Sequence, residues 1–245
     1  MNIAPASLIA DTPQRPAPGV LSSRLAVLCD MDGTLLDTEA TWLDTVRAVF
    51  YAFGVTPAED AVASLEGATT EQASARIAAL IGEEVAKPSA VAAQLETRSL
   101  TAMEGNIRWR PGAEELLRSL HDEGVPLVLV TSSTRRWVDA VASQVDFSLF
   151  THTISADDVA LAKPHPEPYL RAAELLGRAP SECVVFEDSA VGLQAALAAG
   201  CTSVLVRADS ASWTADAHES VPDLRGADAA WVRAVAQRNT HASTP

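Results

Sequence analysis

Four short apolar runs constrain this chain more than any other feature: LAVLC at 25–29, VPLVLVT at 125–131, VVF at 184–186 and TSVLV at 202–206. Each is rich in Val and Leu, and longer stretches with helical periodicity separate them. Short continuous apolar runs that alternate with helices specify strands buried on both faces of a parallel sheet. The helices are legible from their ends: Pro111-Gly112 opens AEELLRSLHDEG, with Gly124 as its stop, and a second helix runs from Glu167 to a terminal Gly177. The expected fold is α/β, a three-layer core with a Rossmann-like parallel sheet.

Residues from about Thr41 to Asn106 have a different texture. They contain no strand-like run and are dominated by alanine, glutamate and amphipathic periodicity. We expect an all-helical cap inserted between the first and second strands. The expected organisation is a disordered leader at 1–23, an α/β core at 24–40 and 107–236, the cap at 41–106, and a flexible tail at 237–245.

With 245 residues and 48% hydrophobic content, the chain has enough apolar material for this core and insert. Its formal net charge of -14 argues against nucleic acid or an anionic membrane as the main partner. No apolar run approaches the roughly 20 residues of a membrane span, and the proline-rich N-terminus lacks the basic and apolar regions of a signal peptide. Cys29, Cys183 and Cys201 lie in or beside apolar runs, and an odd count builds no disulfide framework. The expectation is a cytoplasmic protein with reduced core thiols.

In parallel sheets, ligands bind beyond the carboxyl ends of the strands. Here each apolar run ends in chemistry. The first leads into DMDGTLLDTE at 30–39, the second into Thr131, Ser132 and Ser133, and the third into Glu187 and Asp188. Asp30 and Asp32 share one side of an extended segment, because strand side chains repeat every two residues. Gly33 lets the chain turn sharply, and Thr34 with nearby amides can donate to an oxyanion. Ser132 and Ser133 present amides to an anion and are expected to cap the following helix. Crowding Asp30, Asp32, Glu187 and Asp188 at one sheet edge requires a hard cation, and an all-oxygen donor set suits Mg²⁺. Lys163, in AKPHPEPYL, is one of only two lysines beside sixteen arginines. A compact ammonium can bridge a carboxylate and a phosphoryl oxygen where a planar guanidinium does not fit. His152 and His165 lack metal-ligand spacing.

DMDGTLLDTE, Thr131 at a strand end, Lys163-Pro164 and Glu187-Asp188-Ser189 together resemble the four motifs of the haloacid dehalogenase-like superfamily. VFEDSAVGLQAALAAG is similar to its β-phosphoglucomutase-like and phosphoglycolate phosphatase-like branch, whose members carry a helical cap. The resemblance implies Asp30 as nucleophile and Asp32 as general acid and then base. It implies that Gly33, Thr131, Ser132 and Lys163 hold the phosphoryl group. Asp188 would be a Mg²⁺ ligand with Asp30, the main-chain carbonyl of Asp32 another, and Glu187 would support the ion directly or through water.

The cap would close on hinges near Asp37 to Thr41 and near Asn106 to Pro111. Its loop LEGATTEQA makes Gly67, Thr69 and Thr70 candidates to touch the leaving group, and Arg135 is a candidate to meet a second anionic group. β-Phosphoglucomutase has an arginine where this chain has Thr70 and a histidine where it has Trp42, a departure that disfavours a mutase. The expected function is a Mg²⁺-dependent phosphatase acting on a small phosphomonoester, a sugar or related metabolite phosphate, as a monomer or weak dimer. A sugar phosphomutase is the enzymatic alternative, and a non-catalytic binding protein on the same fold is the alternative of another class.

Overall fold

The computed structural model of the chain describes residues 24–65, 68–105, 107–208 and 212–242. The expected leader at 1–23, Gly67 of the cap loop and the hinge residue Asn106 lie outside the described residues. Six strands form one sheet: β1 (Ala26–Cys29), β2 (Leu127–Val130), β3 (His152–Ile154), β4 (Cys183–Glu187), β5 (Thr202–Val206) and β6 (Glu219–Val221). Their order is β3-β2-β1-β4-β5-β6, and every pairing is parallel. The fold is thus the expected α/β Rossmann-like one. The sheet order reverses direction between β1 and β4, and this places the ligand crevice of a doubly wound sheet above the ends of those two strands.

The four apolar runs are the four central strands, and each buries both faces. Within β1, Ala26 and Leu28 face one layer of core while Val27 and Cys29 face the other. On the first side they meet Tyr169, Ala172 and Ala173 of α7 (Glu167–Leu175) and Ala195 and Ala196 of α8 (Ala190–Ala199). On the second side lie α5 (Ala113–Asp122), α6 (Arg135–Ala142) and α9 (Ala229–Ala242), through Leu116, Leu120, Val141 and Val232. The edge strands are short and only half-buried. β6, with the sequence ESV, lacks the apolar signature and escapes sequence reasoning for that reason. Residues 237–242 of the stretch expected as a tail continue α9, where Arg238 pairs with Glu219 of β6, and 243–245 lie outside the described residues.

Between β1 and α5 the described residues form four helices, α1 (Glu39–Ala52), α2 (Glu59–Ala63), α3 (Thr70–Ile81) and α4 (Pro88–Met103). They surround a hydrophobic cluster of their own, built on Val46, Phe50, Val62, Ile77, Val91 and Leu95. Two chain crossings join them to the sheet layer, and the crossings are bonded to each other. Asp37 N donates to Arg108 O (2.9 Å) and Arg110 N donates to Leu35 O (2.8 Å).

Phe186 lies one residue before the carboxyl end of β4 with no exposure, beside the ring of Trp231 from α9. Phe186→Ala removes a large side chain from a site that cannot collapse, so the expected loss is about 3–5 kcal/mol, read from the urea unfolding midpoint.

Candidate active site

Asp30 follows β1 directly, and its amide donates to Phe186 O of β4 (3.0 Å), which extends the ladder one residue beyond the strand. Its side chain is therefore fixed at the switch point. One carboxylate oxygen, Oδ1, accepts from Lys163 Nζ at 2.7 Å, and the other accepts from Thr34 Oγ1 at 2.9 Å. The Thr34 hydroxyl also lies 3.1 Å from Asp188 Oδ1, so it joins the first motif to the fourth. Gly33 makes this approach feasible. It turns with φ +79°, and a Cβ there would fall 2.2 Å from Asp188 Oδ2.

Lys163 is buried, and its ammonium has three acceptors: Asp30 Oδ1, Val130 O at 2.9 Å and Glu187 Oε1 at 2.7 Å. One side chain thus ties together the ends of β1, β2 and β4. Glu187 is only 1% exposed. Its Oε1 also accepts from Tyr169 OH (2.5 Å), and its Oε2 accepts from Ser189 Oγ (3.1 Å) and from the Asp188 amide (3.2 Å). Both oxygens are occupied by protein donors, so the side chain acts mainly as a scaffold for Lys163 and for the turn into α8. Tyr169 was not singled out by sequence reasoning. Its signal is weak, an aromatic inside a helix six residues beyond Lys163.

Asp30, Glu187 and Asp188 each place a carboxylate oxygen within 4.8 Å of the others. All three donors are oxygen, so the residues fit a hard divalent cation such as Mg²⁺. Electrostatics registers the crowding. Burial pushes the Asp30 carboxyl up to about 7; Lys163 opposes that shift, and Glu187 and Asp32 reinforce it. Burial alone would lower the Lys163 ammonium, but the charges of Asp30 and Glu187 more than reverse this and hold it protonated.

The carboxylate of Asp32 stands apart from that cluster, where spacing alone grouped it with the ligands. Its Oδ2 accepts from Ser133 Oγ (2.7 Å) and Thr131 Oγ1 (3.3 Å), and its Oδ1 accepts from Trp137 Nε1 (3.2 Å). The two aspartates of DxD therefore serve different surroundings: Asp30 faces the ammonium, Asp32 faces neutral donors. Ser133 was expected as a helix cap. Thr134 takes that place, accepting from Trp137 N, which leaves the Ser133 hydroxyl for Asp32. Trp137 is the residue that sequence reasoning missed here. Nothing in a one-dimensional reading marks an indole that reaches back from α6.

Asp30, Asp32, Thr131, Ser132, Lys163 and Asp188 line one cavity of about 760 Å³ that opens between the sheet edge and the inserted helices. Thr69 and Thr70 line it as well, with Thr69 as the N-cap of α3 in a capping box with Gln72. Arg135 does not line it. Its guanidinium donates to Thr153 Oγ1 and O and pairs with Asp158, so it braces β3 instead of meeting a ligand.

A doubly wound parallel sheet with a buried lysine and paired aspartates at its switch point defines a hydrolase architecture built to hold an anion. The chain belongs to the haloacid dehalogenase-like hydrolase family, whose profile matches residues 25–200. It is 35% identical over 185 residues to hexitol phosphatase A of Escherichia coli, covering 74% of this chain and 82% of that protein. It is 31% identical over 182 residues to the fructose-1-phosphate phosphatase YqaB of Escherichia coli, covering 74% and 95% respectively. In fold it resembles the β-phosphoglucomutase of Clostridium difficile, with a TM-score of 0.76, 20% identity, and coverage of 88% of this chain and 98% of that one.

Two expectations follow from this geometry. Unfolding returns the Asp30 carboxyl from about 7 to its ordinary 3.8, so between these pH values the folded chain holds a proton that the unfolded chain has released. In EDTA, stability therefore falls as pH rises from about 4 to 7, and Asp30→Asn flattens that slope in chemical denaturation. A Cβ on Gly192 would lie 1.9 Å from Glu187 Cδ, whose carboxylate is pinned on every side. Gly192→Ala should cost about 1–3 kcal/mol by thermal unfolding, because the overpacked Glu187 has nowhere to move.

Proposed function

We propose that this phosphoric monoester hydrolase cleaves a small sugar or related metabolite phosphate through an aspartyl-phosphate intermediate, with Mg²⁺ as cofactor. The observation that carries the reading is the separation of the two aspartates: Asp30 held by Lys163 and Thr34, Asp32 held by Ser133 and Trp137, both open to one cavity.

An Asp30 carboxylate oxygen attacks phosphorus as the bond to the leaving oxygen breaks, and Asp32 gives its proton to that oxygen. Water then attacks phosphorus, Asp32 takes back a proton, and the bond to Asp30 breaks to release inorganic phosphate. Splitting one displacement into two lowers each barrier, and a positioned proton donor is worth about 10²–10⁴-fold. Lys163 offsets negative charge on the phosphoryl oxygens, and the Thr131 hydroxyl with the Ser132 segment donates to them. Asp30 and Asp188, steadied by Glu187, would hold Mg²⁺, which when bound supplies further charge neutralisation at the phosphoryl oxygens. The inserted helices act as a cap that keeps bulk water from the cleft while the phosphoryl group is transferred and then admits the water that attacks it.

No helix among the described residues is long and apolar enough to cross a membrane. The three cysteines are buried free thiols, which supports a reducing cytoplasmic setting.

The test is hydrolysis of a panel of phosphorylated metabolites with Mg²⁺, comparing the parent with Asp30→Asn. The expected result is loss of turnover by at least about 10³-fold in a variant with unchanged circular dichroism, together with loss in EDTA and recovery with Mg²⁺. Near-normal turnover by Asp30→Asn would overturn the nucleophile assignment.

A further inference from the structure

We propose that the leaving group of the substrate is a polyhydroxylated, uncharged one, and that a second anionic group on the substrate is rejected. This rests on the phosphatase reading above and adds to it the chemistry of the group that leaves.

The cavity has two chemically distinct ends. At the sheet end stands Lys163, the only lysine or arginine that lines it among the described residues, and that ammonium is already engaged by three acceptors on the floor. Towards the inserted helices the lining mixes the hydroxyl residues Thr41, Thr70 and Ser99 with Ala92, Ala93 and Met103, while the Thr45 and Ser74 hydroxyls bond back to their own helices. Two acids, Glu71 and Glu96, stand among them. Of the cations nearby, Arg136 pairs with Glu96 at 3.0 Å, Arg135 is tied to Thr153 and Asp158, and the exposed Lys87, next to Pro88, does not line the cavity. A second phosphate or a carboxylate on the substrate would thus meet the Glu71 carboxylate and the mutually neutralised Glu96–Arg136 pair, and beyond Lys163 no cation lines the cavity among the described residues. At an effective dielectric of about 20, two like charges some 6 Å apart repel by roughly 3 kcal/mol, before further screening by water.

Ser99 supplies an independent observation. It is 8% exposed, lines the cavity from α4, and its Oγ is buried with no hydrogen-bond partner. Helical serines usually satisfy themselves by bonding back to the preceding turn, as Thr45 does onto Thr41 O at 2.8 Å. An orphaned hydroxyl costs about 1–3 kcal/mol unless something satisfies it, and because the Ser99 Oγ is covered, a substrate hydroxyl would satisfy it once the side chain rotates toward the cavity. Trp42 and Trp137 add two indoles to the same lining. Their apolar faces suit the C–H surfaces of a sugar or polyol, while their N–H groups are already bonded to Leu65 O and Asp32.

The test is steady-state kinetics of the Mg²⁺-loaded enzyme on a matched series: a hexitol or hexose monophosphate, the corresponding bisphosphate, a phosphorylated sugar acid of the same length, and p-nitrophenyl phosphate as a reporter of the chemistry alone. We expect kcat/KM for the neutral monophosphate to exceed that for the bisphosphate and the sugar acid by at least tenfold. In the Glu71→Gln, Glu96→Gln double variant that ratio should shrink at least threefold while turnover of p-nitrophenyl phosphate holds. Ser99→Ala should raise KM for the polyol substrate without changing KM for p-nitrophenyl phosphate. Equal or better turnover of the doubly anionic substrates, with the reporter hydrolysed, overturns this inference and leaves the phosphatase reading intact. Hydrolysis of nothing in the series, reporter included, overturns both.

Discussion

The buried ammonium of Lys163 is the interaction on which the site depends. It draws the ends of β1, β2 and β4 together through Asp30, the Val130 carbonyl and Glu187. Burying charge in a protein interior costs several kcal/mol per ion and is recovered only where every donor and acceptor is matched. Here the matching is complete on the lysine and on Glu187, which Tyr169 and Ser189 also serve. On the acidic side, Asp30, Glu187 and Asp188 bring carboxylate oxygens within 4.8 Å of one another. That crowding of oxygen donors suits a divalent cation, to which a phosphoryl oxygen can add.

Much of this was legible in the sequence because burial on both faces leaves an unmistakable record. Runs such as LVLV and VVF cannot be half-exposed strands, so the central sheet and its polarity could be read directly, and with them the edge at which Asp30, Thr131, Lys163, Glu187 and Asp188 gather. β6 was illegible for the opposite reason: an edge strand of three half-exposed residues leaves no pattern. The inserted helices were legible as helices, and their common core follows from their amphipathic spacing.

The site was less legible in its second layer. Residue spacing placed Asp32 beside Asp30 but could not show that its carboxylate is held by Ser133 and Trp137, since those contacts come from a turn and a helix a hundred residues away. Arg135 shows the reverse failure. A cation just past a phosphate-binding motif invites a role in ligand binding, and only the positions of Asp158 and Thr153 reveal that its charge is already used. Glu187 could be read from its position as support for the ion, and its surroundings add a second task, bracing Lys163 and the turn into α8.

The paired crossings at Leu35–Asp37 and Arg108–Arg110 have an evolutionary consequence. The chain leaves the sheet layer and returns to it on neighbouring rungs, so the two ends of the insert are as close as the feet of a hairpin. Whatever is spliced between those feet inherits the same alignment over Asp30. Such an architecture behaves as a cassette, in which one lineage can exchange the part that chooses the substrate while the part that breaks the bond passes down unaltered.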